Sequence, residues 1–287
     1  MKPRWLLLAA LLALIGILAA VALLKPGREA NRKPTLTTLS PDTIQSIRIE
    51  RPNQPPIEIT RHEEGWLMRE PLAARANRFI VENLLAVVAA PIEASLPARG
   101  TELARYGLDA PLARVKLDTD EIAFGATHPF QQQQYVRYRD NVYLIASHYY
   151  GANAQKPELY LDTRLLAPAT RLTDLKLADF SVSQIDGTWQ RRPERKALSS
   201  DRINEFVSEW QQASALSVQR HAGKHPIAWV TLGYAQGEKP QSLRIGIIAR
   251  EPELVLYRPD EDLDYHFPAE LGKRLLQLEP ETPTPAK

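Results

Sequence analysis

The chain has 287 residues, and its formal charge of +2 is carried by two N-terminal cations: without Lys2 and Arg4 the 36 Lys and Arg fall to 34, matching the 34 Asp and Glu. A neutral body lacks the basic excess that displaces counterions from phosphates, so no nucleic-acid partner is expected. With no cysteine in the chain, disulfides and thiolate metal sites are excluded.

Residues 5–24 carry no charge, and only Gly16 lies outside the hydrophobic set. At about 1.5 Å per residue such a run reaches ~30 Å, the thickness of a bilayer core. Residues 1–24 are therefore expected to be a cytoplasmic stub and a transmembrane anchor, with the rest of the chain outside the cytoplasm. A cleaved signal peptide is the alternative, because Ala20-Val21-Ala22 has the A-x-A form of a cleavage site. Ala9, Ala13, Gly16 and Ala20 place small residues on one helical face, a candidate transmembrane interface.

Residues 25–41 carry Pro26, Pro34 and Pro41 and read as an extended linker. A first α+β module is expected over 42–159. Segments 44–49 and 57–60 alternate apolar and polar residues and predict half-buried strands. Glu64-Gly65 turns the chain into a strand at Trp66. Phe79, Ile80, Leu84, Leu85 and Val88 then fall at helical spacing. Strands follow over 115–117 and 122–124, and a hairpin joins 135–138 to 142–145 at Asp140-Asn141. The run from Gln131 to Gln134 reads as a solvated loop.

The second half, 160–278, replays that order after a connector. A strand over 180–184 turns at Asp186-Gly187 into the strand of Trp189. Ser199 or Ser200 caps a helix carrying Ile203, Phe206, Val207 and Trp210. Pro226 precedes a strand over 228–232, residues 243–246 match 122–125, and 254–257 pairs with 265–267. The tail, 279–287, reads as disordered. The fold class expected is α+β: an N-terminal transmembrane helix, then two tandem modules, each an antiparallel sheet covered by a helix.

Trp66 and Trp189 each begin a strand after a Gly turn and read as core, with an aromatic ligand platform as the alternative. His221 and His225 have the four-residue spacing of a zinc pair on a helix, but Gly223 interrupts any helix there, and the segment reads as a loop. Glu63-Glu64 and Asp260-Glu261-Asp262 lie in predicted turns and read as solvated. With no strained G-x-S-x-G elbow and no glycine-rich phosphate loop, no catalytic, cofactor-binding or metal site is expected.

The elements Glu64-Gly65-Trp66, Tyr106-Gly107-Leu108-Asp109-Ala110-Pro111, Ile122-Ala123-Phe124-Gly125 and the 135–145 hairpin resemble domain-of-unknown-function family 4340. The likeness covers 36–145 well and the second module more loosely, where no Y-G-L-D-x-P element occurs. The resemblance implies a bacterial envelope protein with its soluble part in the periplasm, akin to auxiliary components of gliding-motility-type ABC transporters, and supplies no catalytic residues. The expectation is a non-enzymatic, inner-membrane-anchored periplasmic accessory or scaffold protein. Its expected partner is an ABC permease or another envelope complex. The alternative is a module that binds cell-wall glycan or peptide.

Overall fold

The computed structural model describes residues 5, 11–16, 19–20, 33–63, 65–96, 102–168, 170–195, 198–236 and 239–279. Alternation in the sequence becomes the two faces of strands. In β1 (Ser46–Glu50) Ile47 and Ile49 are fully buried, and in β2 (Ile57–His62) so are Ile57 and Ile59. β3 (Gly65–Glu70) and β4 (Ala74–Ala76) follow, and then helix α1 (Arg78–Leu85). The Asn77 side chain caps α1 by accepting from the N–H groups of Phe79 and Ile80 at 3.0 and 3.3 Å. β5 (Ala94–Leu96), α2 (Glu102–Arg105), β6 (Ala113–Leu117), β7 (Asp120–Thr127), β8 (Gln133–Tyr138), β9 (Asn141–Ala146) and α3 (His148–Asn153) complete the first unit. Its antiparallel sheet has the order β4-β3-β2-β1-β6-β7-β8-β9-β5.

The second unit comprises β10 (Arg171–Lys176), β11 (Ser181–Ile185), β12 (Thr188–Arg192), α4 (Ser200–Gln212), β13 (Ser217–Arg220), β14 (Ala228–Gln236), β15 (Lys239–Ala249), β16 (Leu254–Arg258), β17 (Leu263–Phe267) and α5 (Ala269–Leu276). Ser199 Oγ caps α4 by accepting from the Arg202 N–H at 3.1 Å. The sheet order is β12-β11-β10-β14-β15-β16-β17-β13. Strand for strand this is the order of the first sheet, without an equivalent of β4.

The expected fold class needs correction. The architecture is dominated by two antiparallel sheets, nine- and eight-stranded, with few helices, rather than by small sheets each under a helix. Among the described residues no helix is long and apolar enough to cross a membrane. Pro34 to Thr37, within the expected linker, run beside the segment after α1: Leu36 N–H donates to Ala90 C=O at 2.8 Å and Thr37 N–H to Val88 C=O at 3.0 Å. Phe79, expected on the buried face of α1, is 78 % exposed, whereas Val81, Leu84 and Leu85 face the core.

One continuous apolar core runs through both units, and the connector after Tyr160 joins their sheets. Asn77 N–H donates to Tyr160 C=O at 2.7 Å and Asp162 N–H to Arg75 C=O at 2.8 Å. On the other side Leu165 N–H donates to Ala213 C=O at 2.9 Å and Ala215 N–H to Thr163 C=O at 2.8 Å. Side chains close the same junction. Arg75 lies 3.6 Å from the Asp162 carboxylate and 3.3 Å from that of Glu261. Glu261 also takes Arg258 at 3.1 Å and the Tyr265 hydroxyl. Only 6 % of the Asp162 side chain and 9 % of Glu261 reach solvent. Burial works against the charge of Arg258, yet Asp260 and Glu261 hold its pKa above the ordinary guanidinium value.

Removing one charge from a buried cluster strands the others, so Glu261→Gln is expected to cost about 3 kcal/mol in denaturant unfolding. A loss below about 1 kcal/mol would mean that the cluster is no stronger than a surface pair. A second prediction concerns Tyr160, which burial pushes up to about 12 and whose hydroxyl donates to Ala152 C=O at 3.0 Å. Its folded-state pKa is raised, so its contribution is complete below the unfolded value near 10 and is lost as pH rises toward 12. Unfolding midpoints measured across that window should fall, and Tyr160→Phe should flatten the fall.

Candidate functional site

The inner faces of both sheets are sealed in the core, which leaves recognition chemistry to the outer faces and edges. On the first sheet, β1, β2 and β6 carry a half-exposed ion ladder: Arg48 reaches Glu50 and Glu58 at 3.0 Å each, and Lys116 reaches Glu50 at 3.3 Å. The hydrogen bond from Arg48 is the main cause holding the Glu50 carboxyl below its usual range. Such cross-strand pairs hold register but bind little else.

The other half of that outer face is crossed by a strap, the chain between β5 and β6. Helix α2 ends at Arg105, and after Tyr106 a left-handed Gly107 (φ +66°) turns the chain onto the sheet. The ladder shifts register between Phe124 and Thr127, and there Ala126 N–H donates to Tyr106 C=O at 2.7 Å. Leu108 is 4 % exposed and plugs against Ala123 and Val142. Gly125 lies directly beneath: a Cβ there would sit 2.8 Å from Leu108 Cγ and strike the Tyr106 carbonyl oxygen. The Tyr106 ring packs on Tyr135 at 4.9 Å. His128 lies 5.9 Å from Tyr135, and Phe130, 91 % exposed, lies 6.3 Å from His128. An aromatic string thus leads from under the strap to solvent.

The second unit has a strap in the same topological place, between β13 and β14, built from different residues. His221 stacks on Tyr257 at 3.8 Å, as Tyr106 packs on Tyr135. Its Nδ1 lies 2.8 Å from the carboxylate of Asp264, which is 5 % exposed, and its N–H donates to Asp262 C=O at 3.0 Å. A buried carboxylate requires a donor, which assigns the proton to Nδ1. Burial raises the Tyr257 phenol, and the charges of Asp262 and Asp264 add to the rise. Pro226 crosses Gly246, where a Cβ would meet the proline Cγ at 2.6 Å. These contacts fasten the strap to the sheet.

A cleft of about 550 Å³ opens between α5 and the turns after β10 and β15. Leu177, Phe180 and Leu276 line it together with Arg250, Glu251 and Lys273. This mixed lining fits a ligand with apolar and ionic parts.

The residues singled out from the sequence are not gathered at one site. Trp66 is 5 % exposed in the core, with the Arg61 guanidinium 4.4 Å from its ring, and Trp189 is half-buried against the same core. Ala13, Gly16 and Ala20 are helical and exposed, a Cβ placed on Gly16 meets nothing within 4 Å among the described residues, and Ala9 lies outside them. His221 is a strap residue, and His225 is exposed. Asp264, Tyr257 and Glu261 were missed. The alternation in Leu263 to Phe267 puts Asp264 on the outer face, and that was the available signal.

If the straps ride on glycine, Gly125→Ala and Gly246→Ala should each destabilise the protein by ~1–3 kcal/mol through overpacking. Limited proteolysis should then cut within 102–112 and 221–227 respectively. Unchanged stability and cleavage would show that the straps yield freely.

No curated protein and no solved structure shows a significant match to the chain. A family model does, that of the Domain of unknown function (DUF4340), over residues 66–226. This span is more than half of the chain, opens on Trp66, takes in the first strap whole and closes on Pro226 of the second; the chain belongs to the DUF4340 family.

Proposed function

We propose that the protein is a non-enzymatic accessory or scaffold component of the cell envelope, presenting two similar sheets as one rigid platform to a protein partner in the periplasm. The observation that carries this reading is the junction: a connector hydrogen-bonded to both units and a buried cluster around Glu261 tie the two sheets together. The histidine of the second strap also supports it, because its contacts with Asp264 and Tyr257 are those of a packing residue. The resemblance to auxiliary components of ABC transporters supports a permease or ATPase complex as the partner. The cleft lined by Phe180, Arg250 and Lys273 favours a second reading, a binding module for cell-wall glycan or peptide.

A tagged full-length chain cross-linked in its own cells tests the two readings. Transporter-complex subunits should co-purify, and Glu261→Gln, by loosening the junction, should lower their yield several-fold at equal abundance of the tagged chain. The scaffold reading fails if no complex subunit is captured, or if Glu261→Gln leaves the yield unchanged. Saturable binding of a peptidoglycan fragment, abolished by Lys273→Ala, would establish the second reading instead.

A further inference from the structure

The two sheets share one strand order except at a single edge. In the first unit β3 is covered by β4, which pairs with it through Trp66↔Ala76, Leu67↔Arg75 and Met68↔Ala74. In the second unit β12 holds the position of β3, pairs with β11, and has no strand on its other side among the described residues. The hairpin between β11 and β12 is closed by Ile185↔Thr188 around the two-residue turn Asp186-Gly187. Hydrogen-bonded pairs alternate from that closing pair, so Ser183↔Gln190 and Ser181↔Arg192 bond to β11, while Trp189 and Arg191 direct N–H and C=O to the open edge. An edge of this kind accepts an added strand.

The side chains choose the occupant. Arg192 is exposed on β12 and has no ion-pair partner among the described residues, whereas Arg191 packs on the Phe180 ring at 4.8 Å and Arg195, just beyond the strand, is paired with Glu279 at 2.8 Å. A second copy of the chain would bring a second Arg192 to the shared edge, whereas an acidic strand would neutralise the one already there. We propose that β12 is completed in trans by an extended, acidic segment of a protein partner, laid down as β4 is laid on β3 in the first unit. This inference rests on the scaffold reading and names the surface and the chemistry of its partner.

An alternating valine–glutamate decapeptide, added to the full-length chain, tests it. The expected result is saturable binding at least tenfold tighter than that of a valine–lysine decapeptide, with the amides of Trp189 and Arg191 protected from hydrogen exchange. Arg191→Pro removes an outward N–H without touching the bonds to β11 and should weaken binding at least tenfold. Arg191→Ala keeps the N–H and should bind within a few-fold of the parent, and Arg192→Glu should reverse the preference between the peptides. Matched circular dichroism and melting would confirm that each variant is folded. The inference is overturned if neither peptide binds, if both bind alike, if protection appears elsewhere, or if the chain instead dimerises through β12. Capture of complex subunits that survives Arg191→Pro but not Glu261→Gln would remove this edge from the interface and leave the scaffold reading standing.

Discussion

Arg75 sits on a three-residue strand whose flanking alanines are buried, and its guanidinium is met by two carboxylates from outside its own sheet. Asp162 comes from the connector and Glu261 from the turn between β16 and β17. Asp162 and Glu261 are almost shut off from bulk water while Arg75 is 20 % exposed, so the two carboxylates depend on the arginine for solvation. That dependence holds the edge of the first sheet against the connector and the connector against the second sheet. The proposal of a platform rests on this cluster more than on any single apolar contact.

Two copies of one strand order offer a comparison within a single chain. Both straps cross the outer face between equivalent strands, both place a ring on a tyrosine of the sheet, and both pass over a strand glycine. The chemistry has diverged all the same. The first strap is fixed by a plug of leucine and a backbone hydrogen bond at a bulge, the second by a histidine on a buried aspartate. What is shared is the geometry of crossing a sheet, which constrains where small residues lie. What differs is the polarity of the fastening, which geometry leaves open.

Alternation made most strands legible, because side-chain period two is a direct consequence of the pleat. The duplicated order was legible for the same reason. Long-range partnership was not. Asp260-Glu261-Asp262 has the composition of a solvated turn, and nothing local reveals that Glu261 meets an arginine far back in the chain. Gln134, in a polar run, is 1 % exposed because its amide bonds Gly125 C=O and Thr127 Oγ1 at the β7 bulge. The absence of a Y-G-L-D-x-P element hid the second strap, whose place is set by topology and not by letters. Hydropathy at the N-terminus promised a span that the described helical residues do not make.

The distance along the chain between Arg75 and Glu261 has a consequence for how the protein is made. A ribosome delivers β4 with its cation long before the turn that supplies the second carboxylate. During that interval the first sheet has all its own strands but only part of the charge that settles its edge. Contacts of such sequence separation close late and slowly. The nascent first half therefore waits with one boundary unfinished, a state open to chaperones and to misplaced strands. Only with the far turn in place does Arg75 have Glu261 as well as Asp162 to pair with.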